Sequence, residues 1–214
     1  MIKGIVFYFN GTLAYKVKSS GSKKECEFLR SNGLDVYYQE WEAATKLVLF
    51  VVYPKGHIES TENFHKAVFQ ALGIRVTKGI IKKIVDYVKA NNRYEAYPDM
   101  ESIRSLNVNK AILTTIPRFI FDNLDLGDFD PIMTGKEIGR AKPHPSGFQK
   151  ILSKWNLEPN EVLMVGNDVD CDILPAKQLG IHAVFINREG RTADEADYCI
   201  SSLEQIGDII EELN

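Results

Sequence analysis

The sequence predicts an α/β fold, a doubly wound parallel sheet interrupted after its first strand by a helical lobe. Three observations carry this expectation. Six short apolar runs stand out, GIVFYF, KAILTT, PIMT, EVLMVG, HAVFIN and DYCIS. Several are continuous rather than alternating, as strands buried on both faces are. From residue 98 onward these runs alternate with helical patterns, the signature of strand–helix–strand units. The first run stands apart from the rest, and residues 15–97 between them read as helical.

Each element has its own local reason. GIVFYF ends in Tyr8, Phe9, Asn10, Gly11 and Thr12, a strand running into a sharp turn. KVKSSGSKK is polar and rich in Ser and Gly, so it reads as a loop. Trp41, Ala44, Val48 and Val51 form one apolar helical stripe. Phe64, Ala67, Val68, Ala71 and Leu72 form a second, closed by Gly73. Ile80, Ile81, Ile84, Val85 and Val88 form a third, with Thr77 as its N-cap. Pro98 and Pro117 suit the first turns of PDMESIRSLN and PRFIFDNL. PSGFQKILSKWN places Phe148, Ile151, Leu152 and Trp155 on one face. DILPAKQLGI stops at Gly180, and SLEQIGDIIEELN closes the chain as a helix. The expected division is a sheet domain of residues 1–14 and 98–214 and a helical lobe of residues 15–97. Ligands of parallel sheets sit beyond the carboxyl ends of the strands. The lobe leaves from that edge, so it covers whatever binds there.

Composition excludes several classes of function. The chain has 214 residues and a net charge of −3, which argues against a nucleic-acid partner. Lys82 and Lys83 fall between apolar helix positions and read as a solvated face. No run approaches the ~18 apolar residues of a membrane span. The apolar start of MIKGIVFYFNG is too short for a secretory signal. Cys26, Cys171 and Cys199 are far apart, as reduced thiols of a cytoplasmic protein are. The four histidines show no zinc-ligand spacing.

Polar residues gather at the strand ends. The first strand delivers Tyr8, Asn10, Gly11 and Thr12, and the second delivers Thr114 and Thr115. Lys142 lies in GRAKPHPSGF, and VGNDVDCD carries Asp168, Asp170 and Asp172. A hydroxyl, an ammonium and carboxylates in this arrangement suit a phosphate beside a divalent cation. The ammonium and hydroxyl hold phosphate oxygens, and the carboxylates hold a hard metal. His144, between two prolines, reads as structural, and Arg118 as an exposed helix residue. Tyr15, Lys16 and Lys18 follow the first strand and are candidates for meeting a substrate.

These residues carry a resemblance to the haloacid dehalogenase superfamily across essentially the whole chain. The superfamily's first motif, Asp-x-Asp-Gly-Thr, is matched by Tyr8-Phe9-Asn10-Gly11-Thr12. Its strand-closing Thr or Ser is matched by Thr114, its Lys by Lys142 in KPHP, and its acidic motif by VGNDVDCD. The helical lobe matches the superfamily's cap. The resemblance implies a Rossmann-like core and Mg²⁺-dependent phosphoryl transfer on a small phosphorylated molecule. It implies catalytic positions at Tyr8, Asn10, Thr114 and Lys142. Phosphate contacts fall at Gly11, Thr114, Thr115 and Lys142, and metal contacts at Asn10, Asp168 and Asp172. Asp172 has a second reading, as the residue that orients Lys142.

The first motif departs from that pattern. Tyr8 stands at the nucleophile position and Asn10 at the acid/base position. A phenol has a pKa of about 10 and stays protonated at neutral pH. An amide exchanges no proton near neutrality. Turnover is therefore expected to be weak or absent, and Mg²⁺ binding weak. A phosphate-binding or regulatory protein without turnover is the alternative. A haloacid dehalogenase tolerates Asn10 but still needs the nucleophilic carboxylate that Tyr8 replaces.

Overall fold

The computed structural model describes residues 1–188 and 190–214. In chain order the sheet domain begins with β1 (Gly4–Phe7) and crosses to the cap through β2 (Ala14–Lys18). The cap contains α1 (Gly21–Ser31), α2 (Tyr38–Leu47), α3 (Thr61–Ala71) and α4 (Lys78–Asn91). The chain returns through β3 (Arg93–Ala96). Then come α5 (Met100–Arg104), β4 (Asn109–Leu113), β5 (Ile132–Met133), α6 (Gly135–Ile138) and α7 (Ser146–Trp155). The domain closes with β6 (Val162–Gly166), α8 (Leu174–Gln178), β7 (His182–Ile186), β8 (Tyr198–Ile200) and α9 (Ile206–Leu213).

All six apolar runs become strands of one sheet, ordered β5-β4-β1-β6-β7-β8. Every pairing in it is parallel. Continuous apolarity has the expected cause, since β1 and β6 are buried along their whole length. Ile5, Phe7, Ile112, Val165 and Val184 face one side and pack with Met100, Ile103, Ile206 and Ile209. Val6, Ala111, Leu113, Met164 and Ala183 face the other and pack with Phe148, Ile151 and Ala176. Helices thus cover both faces of a doubly wound α/β core.

The cap has a core of its own, built from Trp41, Val48, Phe69, Ile84 and Val88. Buried Glu25 ties its helices together, accepting from Ser20 Oγ at 2.6 Å and Trp41 Nε1 at 3.0 Å. Ser20 is in turn bound to Asn92 beyond α4. Three local expectations are corrected here. The stretch KVKSSGSKK is not all loop, because Val17 and Lys18 end β2 and Gly21 begins α1. Val51 leaves its stripe and is exposed, because Val48–Val52 forms a π-helical turn that shifts the face. Beyond Pro117 there is only a single 3₁₀ turn, Arg118–Ile120.

Two features join this helical lobe to the sheet domain. The antiparallel pair β2–β3 is its stalk. On the far side Tyr53 Oη lies 2.7 Å from Thr134 Oγ1, both buried, and Lys136 pairs with Glu59 at 2.6 Å.

Candidate active site

The carboxyl ends of β1, β4 and β6 and the loop before α7 meet at one edge of the sheet. β1 ends at Phe7, and the Tyr8 amide still donates to Val165 O at 2.9 Å. Tyr8 therefore leaves the sheet with its backbone fixed between β1 and β6. The turn that follows is tight. Leu13 and Ala14 amides both donate to Phe9 O, and the Gly11 amide donates to Ala14 O at 2.7 Å. Gly11 has φ +84°, and a Cβ there would lie 2.4 Å from Asn167 Nδ2. The positive φ favours glycine there, and any side chain would also have to displace the Asn167 amide. The Gly11 amide, expected to be a phosphate donor, is engaged within its own turn instead.

Lys142 and Asp172 form a buried ion pair, with Asp172 fully enclosed. Asp172 Oδ1 accepts from Lys142 Nζ, and Oδ2 accepts from the Asp168 amide at 3.2 Å. Burial pushes the Asp172 carboxyl above the ordinary range, against the pull of Lys142. Both its oxygens have partners within the protein, Lys142 on one and the Asp168 amide on the other. The Tyr8 ring covers the same ammonium, with Nζ 3.8 Å from the ring centroid. Lys142 thus sits between a carboxylate and an aromatic face, a cation–π arrangement. Burial, and then the Asp172 carboxylate, raise the Tyr8 phenol well above its ordinary value.

Asp168 caps the turn after β6, accepting from the Cys171 amide at 2.8 Å through Oδ1. Tyr8, Asn10, Asn167, Asp168, Asp170, Arg191 and Thr192 line a cavity of about 460 Å³. Asn167 Oδ1 is buried there without a hydrogen-bond partner. Asn167 stands where the resembling family more often has Asp, and it directly precedes Asp168 in VGNDVDCD. Nothing in the sequence pointed to Arg191 or Thr192, which arrive on the loop after β7.

The structure brings Tyr8, Lys142, Asp172 and Asp168 together through direct contacts, and Asn10 joins them along the cavity wall. Thr114 is fully buried at the end of β4, where its hydroxyl accepts from the Ile116 amide at 3.2 Å. Thr115 is half-buried beside it. Tyr15 and Lys16 belong to the stalk: Tyr15 donates to Glu95 at 3.2 Å, and Lys16 lies over the Tyr94 ring. His144 is bound to Ser146 in its own loop, and Arg118 is exposed.

The family's Mg²⁺ fits this residue set poorly. Among the described residues no group of three His, Cys, Asp or Glu side chains is placed to hold a metal ion. The possible donors are the second oxygen of Asp168, the Asp170 carboxylate and the neutral amide oxygens of Asn10 and Asn167. Mg²⁺ favours carboxylates in near-octahedral geometry, and Asp168 and Asp170 have no third acidic side chain placed to hold a metal with them among the described residues. Among the described residues, no helix is long and apolar enough to cross a membrane.

Comparison with known proteins places this chain in a family. The haloacid dehalogenase-like hydrolase family matches residues 2–180. A glyceraldehyde 3-phosphate phosphatase of Methanocaldococcus jannaschii is 28% identical, over 100% of this chain and 99% of its own length. A ribulose-1,5-bisphosphate 5-phosphatase of Halopiger xanaduensis is 26% identical, over 54% of this chain and 55% of its own. The fold is shared with a phosphatase of Thermococcus onnurineus, at TM-score 0.63 and 21% identity, with 98% of each chain covered. It is also shared with a 2-haloacid dehalogenase of Pseudomonas syringae, at TM-score 0.73 and 18% identity, with 100% of each chain covered. With a parallel α/β core and a family match that covers residues 2–180, this chain belongs to the haloacid dehalogenase-like hydrolases.

Proposed function

We propose that this protein keeps the scaffold of a small-molecule phosphatase and performs phosphoryl transfer weakly or not at all. The observation that carries this reading is the Tyr8 ring seated over Lys142 Nζ at 3.8 Å. It supports two consequences. The ammonium that would neutralise a phosphate is covered by an aromatic face. The side chain at the nucleophile position is a phenol held protonated by burial, so it cannot attack phosphorus. Asn10 cannot protonate a leaving group or activate water. Mg²⁺ would supply charge neutralisation on the phosphoryl oxygens, and the donor set described above supports only weak binding of it.

The phosphatase scaffold is supported by the named relatives, whose substrates are small phosphorylated compounds. The retained Thr114 and Lys142 favour a second reading, a phosphate-binding or regulatory protein without turnover. Hydrolysis of an aryl phosphate with Mg²⁺ tests the first reading. The parent is expected to be inert. Tyr8→Asp combined with Asn10→Asp is expected to hydrolyse the ester, with the acid/base restoration alone contributing roughly 10²–10⁴-fold. Efficient hydrolysis by the parent would mean that another residue is the nucleophile. An inert, folded double variant would favour the non-catalytic reading.

A further inference from the structure

The chain leaves the sheet domain for the cap after Thr12 and re-enters it at Tyr97. Arg188, two residues past β7, touches both crossings. Its Nη2 donates to Thr12 O at 2.9 Å, and its guanidinium lies 3.9 Å from the Tyr97 ring centroid. The same guanidinium forms a two-point ion pair with Asp99, at 2.6 and 3.0 Å. Asp99 is anchored in turn by the Leu203 amide at 3.0 Å and Ser202 Oγ at 3.1 Å. The two crossings are joined directly as well, since the Tyr97 amide donates to Leu13 O at 2.9 Å. The Arg188 and Asp99 side chains are only 15% and 11% exposed. Burial opposes the charge on Asp99, but Arg188 and the Leu203 amide hold its carboxyl below the ordinary range.

Only arginine can make this set of contacts. Its planar fork meets a carboxylate at two points while its face stacks on an aromatic ring. A lysine keeps the charge and loses the geometry. Arg188 comes from the far half of the sheet, and the groups that anchor its partner Asp99, Leu203 and Ser202, precede α9. The grip therefore runs from the rigid core to both strands of the stalk. We propose that Arg188 is the positioning residue of the cap hinge, clamping both crossings and fixing the angle at which the cap stands over the strand ends. This role holds whether or not the site turns over substrate.

An ordinary buried ion pair would stabilise the whole fold, and a hinge clamp acts locally. Amide hydrogen exchange on Arg188→Lys separates the two. Amides of β2, β3 and Tyr97 should exchange about tenfold faster or more, while those of β1, β6 and α1 to α4 stay at parent rates. Equal acceleration of β1 and β6, or unchanged stalk amides, would overturn the proposal. Should Arg188→Lys fail to fold, Tyr97→Phe keeps an aromatic face toward both Tyr15 and Arg188 and must leave the stalk amides at parent rates, whereas Asp99→Asn weakens the two-point pair with Arg188 and must give the same stalk-limited pattern. A second readout reports cap position directly. Spin labels at exposed Glu40 on α2 and Glu211 on α9, in a Cys171→Ser and Cys199→Ser background, should give a narrow distance distribution in the parent. A broad one is expected in Arg188→Lys, and an unchanged narrow distribution would overturn the clamp.

Discussion

At the scale of single residues, the site is governed by how Lys142 is satisfied. Its ammonium is buried with Asp172 on one side and the Tyr8 ring on the other. Removing the charge while leaving Asp172 enclosed is costly, because an unpaired buried carboxylate has lost its water. Lys142→Met is therefore expected to destabilise the fold by about 3–5 kcal/mol, measured by urea denaturation. The double variant Lys142→Met with Asp172→Leu should recover much of that loss. Tyr8 makes a pH-dependent prediction. Its phenol is raised above the unfolded value by burial and by Asp172, so the folded state holds the proton more tightly. Above pH ~10 the unfolded state loses this proton first. Stability therefore falls as pH rises beyond that point. Tyr8→Phe should reduce the alkaline fall in melting temperature, and an unchanged profile would place the titrating group elsewhere.

At the scale of elements, the strands of the main sheet were legible and the connections were not. EVLMVG reads as a strand because β6 is buried on both faces, so every residue answers to the same pressure. The stalk strands AYKVK and RYEA carry no such signal. They form a two-stranded ribbon with one exposed side, held by the register of its neighbours rather than by apolar pattern. The π turn at Val48–Val52 was hidden for a related reason, since VLFVV is apolar all round and periodicity cannot fix its phase. In the site, Tyr8, Asn10, Lys142 and Asp172 were legible through motif order. The orphaned oxygen of Asn167 and the reach of Arg188 depend on three-dimensional packing and leave no trace in spacing. Packing also sets the tolerance of strand ends. A Cβ at Gly166 would meet Asp172 within 2.5 Å, and Asp172 cannot retreat without releasing Lys142. Gly166→Ala should cost about 1–3 kcal/mol, read as a lower denaturation midpoint at unchanged slope.

At the scale of the whole molecule, cap and core meet at two places of different character. The stalk side is covalent and clamped by Arg188. The far side rests on Tyr53 against Thr134 and Gly135, and on the exposed pair of Lys136 with Glu59. Tyr53→Phe removes one buried hydrogen bond while Thr134 keeps Glu137 as a partner. A loss of about 0.5–1.5 kcal/mol is expected, and exchange of the amides around Thr134 should rise before those of β1. The central claim is that the Tyr8 ring occupies the place of a phosphate on Lys142. Calorimetric titration with inorganic phosphate tests it most directly, on the parent, on Tyr8→Ala and on Tyr8→Ala with Lys142→Ala. The parent should show no binding, Tyr8→Ala should bind phosphate in the millimolar range, and the double variant should lose it again. Tight phosphate binding by the parent, or none by folded Tyr8→Ala, would contradict the claim.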